Sequence, residues 1–313
     1  MRSRTGWRDI HGVTKGCLLT SAALAILTAP FYHLTGLRID WASGVHIFAA
    51  TGGAGLLWFY HLRYPGRPDE WPVTEVLGAI FLIALFTNVL TPAQYVAVAL
   101  DRPLIDPALA RVDGWLGIDV AALAAWTWAH PTAHTILSVA YGSLLAQFGG
   151  TPIIVALWYR DRDRLWEYVF HFHFCGVLTV LSLALFPAAC AFLYLGFESA
   201  LPQARFIAHF SGLRDGSLTT IDLSNLEGLI SMPSFHVAGA LMATWAVRGR
   251  RSILVAFSIL NATLIASTVL TGAHYAVDIA ASVALFAVSV GCYRRLIVPT
   301  LGQHLARMET SAG

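Results

Sequence analysis

The sequence predicts an all-α, polytopic transmembrane helical bundle, with a six-helix core and two preceding N-terminal transmembrane helices. Three observations carry that prediction. Hydrophobic residues make up 57% of the 313 and charged residues only 12%, with mean hydropathy +0.64; such a composition reflects long uncharged runs rather than one compact core. The runs recur at lengths suited to a bilayer. The basic residues between them alternate between crowded and sparse connections.

In chain order the runs are 16–36, 43–60, 73–100, 132–158, 165–197, 233–247, 252–271 and 274–293. Most supply the roughly 20 apolar residues that cross hydrocarbon; 233–247 is short at its polar end. Residues 1–72 hold the N-terminal pair, and 73–313 hold the six-helix core with its outward loops. Arg2, Arg4, Arg8 and Lys15 ahead of the first run superficially resemble a signal peptide, but the runs that follow favour a retained first span. Gly53 and Gly55 allow close helix packing in the second run. Residues 101–131 are too polar at their start to span. Ala121 to Trp128, with Trp126 and Trp128, suits an amphipathic helix at the interface, serving as an aromatic anchor or at a lipid entry.

With the N-terminus inside, the inner connections hold Arg2, Arg4, Arg8, Lys15, Arg63, Arg67, Arg160, Arg162, Arg164, Arg248, Arg250, Arg251, Arg294, Arg295 and Arg307. The outer ones hold Arg38, Arg102, Arg111, Arg205 and Arg214, which completes the 20 basic residues. That asymmetry satisfies the positive-inside rule. A formal charge of +2 and the lack of a basic patch interleaved with aromatics argue against a nucleic-acid partner. Cys17, Cys175, Cys190 and Cys292 lie in apolar runs without metal-type spacing and read as packing residues. His130 with His134, and His171 with His173, lack accompanying cysteine or carboxylate ligands. Near the proposed span ends they read as structural or interfacial histidines.

The stretch from Ser231 to Asp278 is harder to explain by packing. It opens with Ser231-Met232-Pro233-Ser234-Phe235-His236 and closes with Thr271-Gly272-Ala273-His274-Tyr275-Ala276-Val277-Asp278. The chain between crosses and returns, so both clusters share a side. Pro233 suits the first turn of a helix with Ser231 as its cap, which would leave the amides of Ser234, Phe235 and His236 as an anion cradle. His274 and Asp278 are four apart and share a helix face. An unpaired carboxylate at mid-membrane costs roughly 2.5 to 3.5 kcal/mol, so Asp278 requires a partner. Holding His274 in one tautomer frees its other nitrogen to attack or to accept a proton.

The two clusters resemble the second and third signatures of the type 2 phosphatidic acid phosphatase (PAP2) superfamily, usually PSGH and SRxxxxxHxxxD. Here they read Pro233-Ser234-Phe235-His236 and Ser267-Thr268, five residues, His274, three residues, Asp278. Phe235 replaces the glycine, and Thr268 stands where the family usually carries a phosphate-binding arginine. These forms are similar to the branch containing fungal aureobasidin-sensitive inositol phosphorylceramide synthases and their bacterial relatives. Arg102-Pro103 resembles the end of the first signature, but Tyr95 occupies the position of its lysine. The loop with Arg205 and Arg214 is the counterpart by position. Arginine suits that work because its fork donates paired hydrogen bonds to phosphate oxygens.

The resemblance implies phosphoryl transfer from a membrane lipid phosphate or phosphodiester in a bacterial inner membrane, including transfer of an inositol-phosphate-type headgroup, and the distribution of basic residues places the site at the extracytoplasmic face. His274 is the expected nucleophile, Asp278 its orienter and His236 the acid and base. Ser234, the Phe235 amide, Arg214 and Arg205 are expected to hold the phosphate. No metal or other cofactor is implied. The acceptor is water or a polyol hydroxyl such as inositol. A transporter or binding protein using the cluster as an anion site is the alternative.

Overall fold

The computed structural model describes residues 12–64, 71–199, 201 and 204–299; Arg2, Arg4, Arg8, Arg67 and Arg307 lie outside them. The described chain is almost wholly helical. Its helices are α1 (Gly12–Thr35), α2 (Val45–Arg63), α3 (Trp71–Ala99), α4 (Asp106–Trp115), α5 (Val120–Ala129) and α6 (Pro131–Ile153, continuing in π-helical turns over Ile154–Tyr159). There follow α7 (Arg162–Leu185), α8 (Ala191–Leu195), α9 (Ala204–Arg214), α10 (Phe235–Ala246), α11 (Arg251–Leu270) and α12 (Ala276–Cys292, continuing over Tyr293–Ile297).

Among the described residues, α1, α3, α6 with its extension, α7, α11 and α12 with its extension are long and apolar enough to cross a membrane. Two runs expected to span fall short of that set. Helix α2 carries His46, Thr51, Gly52 and Gly53 in its first half. Helix α10 has 12 residues, about 18 Å at 1.5 Å per residue. The run 165–197 is also not one helix: α7 ends at Leu185, and the chain turns through Pro187 before α8.

Helix α7 is central, packed against α3, α10 and α12, while α10 also packs on α6 and α11. The close approaches are made at glycine. A Cβ on Gly239 would lie 2.8 Å from Leu144 of α6, and one on Gly176 would lie 2.6 Å from Phe86 of α3. Gly55 is similarly tight against Phe81, whereas Gly53 faces open space, so only one of the two expected packing glycines sits at the α2–α3 contact. Cys17, Cys175 and Cys190 are buried and Cys292 is half-buried, all as free thiols.

Two ends of the bundle differ in chemistry. At one, Arg164 donates to the Arg248 carbonyl, Arg250 to the Trp158 carbonyl at 3.2 Å, and Arg248 pairs with Glu167 at 2.5 Å. At the other, strand β1 (Arg38–Asp40) pairs in parallel with β2 (Thr220–Asp222), Arg38 opposite Thr220. This ties the α1–α2 connection to the chain that leads into α10. The two-strand pairing and α4 were not anticipated from the sequence; α5 covers the expected amphipathic stretch and is capped by Asp119.

His171 and His173 are structural, one of the two roles the sequence allowed. Instead of reaching water near a span end, both are buried within α7. His171 Nδ1 pairs with the Ser289 hydroxyl at 2.7 Å, and His173 Nδ1 lies 2.9 Å from the Val169 carbonyl. The chain between residues 159 and 162 is a short turn, so α7 starts earlier and buries this stretch. His130 and His134 stack on Trp126 and Trp128, as interfacial residues do.

Candidate active site

Helix α10 begins later than its sequence suggests. Ser234 is its N-cap, with its hydroxyl accepting from the Val237 amide at 3.4 Å, and Phe235 is its first residue. Ser231 therefore does not cap the helix, and Pro233, after a cis bond from Met232, lies outside it. Serine at the N-cap satisfies one of the four unpaired amides of the first turn. The Phe235 and His236 amides lead that turn. The Phe235 ring packs on Phe148 and Phe172, so its backbone alone is available to an anion.

The segment entering α10 is held from two sides. Gln94 Oε1 accepts from the Leu229 amide at 2.8 Å, the Tyr95 hydroxyl accepts from the Glu227 amide at 2.8 Å, and the Ser182 hydroxyl donates to the Met232 carbonyl at 3.0 Å. On the opposing strand of chain, α11 ends in a turn in which the His274 amide donates to the Thr268 carbonyl at 2.8 Å. Gly272 takes φ +83° there, with Phe197 and Ala124 against it. The Thr127 hydroxyl of α5 closes the top by donating to the Leu270 carbonyl at 2.6 Å.

These turns bring the two motifs together. His274 Nε2 lies 3.1 Å from the Ser234 hydroxyl, and His274 Nδ1 lies 3.2 Å from Asp278 Oδ2. Asp278 Oδ2 also accepts from the Tyr275 amide at 3.1 Å. The His236 and His274 rings have centroids 6.3 Å apart. Ser234, His274 and Asp278 are buried and His236 is half-buried. Ser282 fastens α12 to the start of α10, its hydroxyl lying 2.6 Å from the Asp278 carbonyl and 3.1 Å from that of Ser234.

The site is recessed. Tyr141, which stacks on His236 with centroids 4.1 Å apart and a 22° interplanar angle, lies between Pro131 and Ile153 of α6, about 15 Å below the helix start at 1.5 Å per residue. The short α10 explains this depth, since its first turn cannot reach the level of the longer helices around it. Its hydroxyl is 3.4 Å from His236 Nδ1, so the ring's Nε2 is the nitrogen left for chemistry.

The expected arginines lie not on a loop but on helix α9, Arg205 in its first turn and Arg214 as its last residue. Arg214 pairs with Asp101 at 2.7 Å and donates to the Arg102 carbonyl at 3.0 Å; it lines a surface hollow with Leu104, Ala189 and Tyr194. Arg205 pairs with Glu227 at 2.7 Å and donates to Asn225 at 2.7 Å. Thr268 gives no replacement for the family's arginine, because its hydroxyl bonds the Ile265 carbonyl of its own helix.

Sequence reasoning missed Tyr141, Ser282 and two carboxylates on α4. Asp106 accepts from the Tyr275 hydroxyl at 3.1 Å and the Ala189 amide at 2.9 Å. Asp113 accepts from the Ala276 and Val277 amides at 2.7 and 3.0 Å. A signal existed for these: Asp106-Pro107 is a helix start, and positions seven apart return to one helix face.

The arrangement offers a buried imidazole oriented by a carboxylate, a second imidazole across a gap, and a helix N-terminus between them. A family model described as PAP2 superfamily matches residues 107–292, more than half of the 313-residue chain. No curated protein and no solved structure matches it.

Proposed function

The chain belongs to the PAP2 superfamily, and from that premise we propose that it is a membrane lipid phosphatase or phosphotransferase working through a phosphohistidine. Superfamily membership and the six apolar helices support the coarser statement, a membrane-embedded enzyme of phosphoryl chemistry on a lipid phosphate. The observation that carries the finer one is the His274 relay, with Nδ1 held by Asp278 and Nε2 directed at Ser234.

In this reading His274 Nε2 attacks phosphorus as the bond to the lipid oxygen breaks, and His236 gives that oxygen its proton. His236 then removes a proton from the acceptor, whose oxygen attacks phosphorus and releases His274. The reversal of roles is what general acid–base catalysis requires across two steps. The 6.3 Å between ring centroids suits one tetrahedral group held between them. The Ser234 hydroxyl and the Phe235 and His236 amides supply donors at a helix N-terminus, where developing negative charge is stabilised.

Arg214 is the first candidate to complete the oxyanion contacts, and Arg205 the second. Each is paired with a carboxylate, so recruitment exchanges that carboxylate for phosphate. The arginine-rich turns at the far end of the bundle support an extracytoplasmic site by the positive-inside rule. The family match reaches only the superfamily; the form of Pro233-Ser234-Phe235-His236 is the ground for proposing transfer of an inositol-phosphate-type headgroup, with a polyol hydroxyl such as inositol as acceptor and water as the competitor.

The test is a panel of labelled lipid phosphates and phosphodiesters incubated with purified protein, with and without inositol. Free phosphate marks the phosphatase and a labelled polyol marks the transferase. His274→Ala should lower turnover by several orders of magnitude, as loss of other nucleophiles does, and should abolish acid-labile phosphoprotein. Near-normal turnover in that variant would remove the mechanism.

A further inference from the structure

We infer that Asp106 and Asp113, both on α4, are positioning residues that hold the turn from His274 to Asp278 in its reactive geometry. The inference rests on the proposed role of His274. Asp278 sits in the first turn of α12, where helical amides have no partner within the helix and compete for any nearby carboxylate. The structure settles that competition. Asp113 takes the Ala276 and Val277 amides, one on each oxygen, and the Asp278 amide donates to the Tyr275 carbonyl at 3.2 Å. Asp278 is thereby left with the Tyr275 amide and the His274 ring on the same oxygen, Oδ2.

Without Asp113 two more amides would stand beside Asp278, and its carboxylate would be drawn toward them and away from His274. Asp106 acts on the same turn from the side. It is fully buried, and its two oxygens join the Tyr275 hydroxyl to the Ala189 amide. Tyr275 is itself buried and follows His274 directly, so fixing its ring fixes the backbone that carries the imidazole. Helix α4 thus works as a brace. Its Asp106 and Asp113 share a face, and Leu109 between them packs in one apolar cluster with Val120, Ala188, Val269 and Tyr275.

Neither carboxylate is placed to touch substrate, so the signature is on kcat rather than KM. A displacement of about 1 Å at a reacting group costs about a hundredfold; Asp113→Asn, which turns an amide donor toward one of the two N–H groups, should lower kcat by about 10- to 100-fold with KM within about threefold. Asp113→Glu, still a double acceptor, should regain part of the loss. The control is Asp161→Ala, which removes the cap of α7 at the arginine-rich end of the bundle (Asp161 accepts from the Arg164 amide at 3.0 Å); it should reduce thermal stability while leaving kcat unchanged.

The inference is overturned if kcat of Asp113→Asn stays within about twofold of the parent, or if Asp161→Ala loses kcat equally, since a general loss of helix capping would then suffice. If Asp113→Asn does not fold, Tyr275→Phe decides. It deletes only the hydroxyl that meets Asp106, and should lower kcat by about three- to tenfold; an unchanged kcat refutes the brace. His274→Ala is measured beside them. An active His274→Ala would refute the proposed nucleophile, whereas an inactive one beside a fully active Asp113→Asn would refute the brace alone.

Discussion

Asp278→Asn tests the relay at its least replaceable bond. Asp278 Oδ2 accepts from both His274 Nδ1 at 3.2 Å and the Tyr275 amide at 3.1 Å, in a site where the carboxylate is fully buried. An asparagine keeps the shape and removes the charge. If its oxygen stays with both donors, the imidazole keeps its tautomer but loses the counter-charge that steadies it when phosphorylated or protonated. If the amide turns over, it presents N–H groups to an N–H and the tautomer reverses. Breaking one side of a buried, hydrogen-bonded charge pair costs about 3 to 5 kcal/mol, and at about 1.4 kcal/mol per tenfold this is a loss of roughly a hundred- to several thousandfold in turnover. The assay is release of labelled phosphate from a lipid phosphate in detergent, paired with trapping of acid-labile phosphoprotein and with thermal unfolding. Turnover should collapse and phosphoprotein formation should slow in step, in protein that still unfolds cooperatively. A variant within about tenfold of the parent would refute the claim that Asp278 orients the attacking ring.

Three more outcomes are expected. Tyr141→Leu removes the ring stacked on His236, worth about 0.5 to 1.5 kcal/mol for an aromatic pair, and should lower kcat up to about tenfold, while Tyr141→Phe should stay near the parent; steady-state kinetics of the two variants separate stacking from the hydroxyl contact. Gly272→Ala places a Cβ at φ +83° and 2.5 Å from the Phe197 ring, so it should cost about 1 to 3 kcal/mol in thermal stability and reduce turnover through the displaced turn. Gly216→Ala, at φ +76° with open space around it, should be milder in both measurements. Burial holds the Asp106 carboxyl above the ordinary carboxylate range, outweighing the Ala189 amide and Tyr275 hydroxyl that pull it down. The folded protein therefore binds this proton more tightly than the unfolded chain, and the group's contribution to stability is full below the ordinary value of about 4 and falls as pH rises through the raised one. Thermal midpoints measured across that window should vary less in Asp106→Asn, and an unchanged slope would show that Asp106 ionises normally.

The helical bundle was legible because hydrocarbon imposes it: an apolar run of bilayer length must pair its own backbone groups, and a helix does so within one segment. The eight runs accordingly map onto α1, α2, α3, α6, α7, α10, α11 and α12. Length alone could not say which of them cross. It also hid the break after Leu185, because Phe186, Ala188 and Ala189 are as apolar as the helix before them. For the α7 histidines the sequence left structural and interfacial roles open: Glu167, four residues before His171, was a legible partner, whereas Ser289 of α12 is supplied only by the tertiary fold.

Within the site, the four-residue spacing put His274 within reach of Asp278, but not on a shared helical turn as expected: Tyr275 is the N-cap of α12, so His274 precedes the helix and pairs with the Asp278 side chain of its first turn. Local spacing carries the contact and composition the membrane around it, while the end of the helix was settled by the turn that precedes it. The cap at Ser234, the approach of His236 to His274, the stacking of Tyr141 and the hold of α4 on the α12 turn were decided only by tertiary structure. Apart from the cap, which spans only Ser234 to Val237, these contacts join residues far apart in sequence, up to 169 positions, and no local pattern encodes which distant backbone amide will find which buried carboxylate.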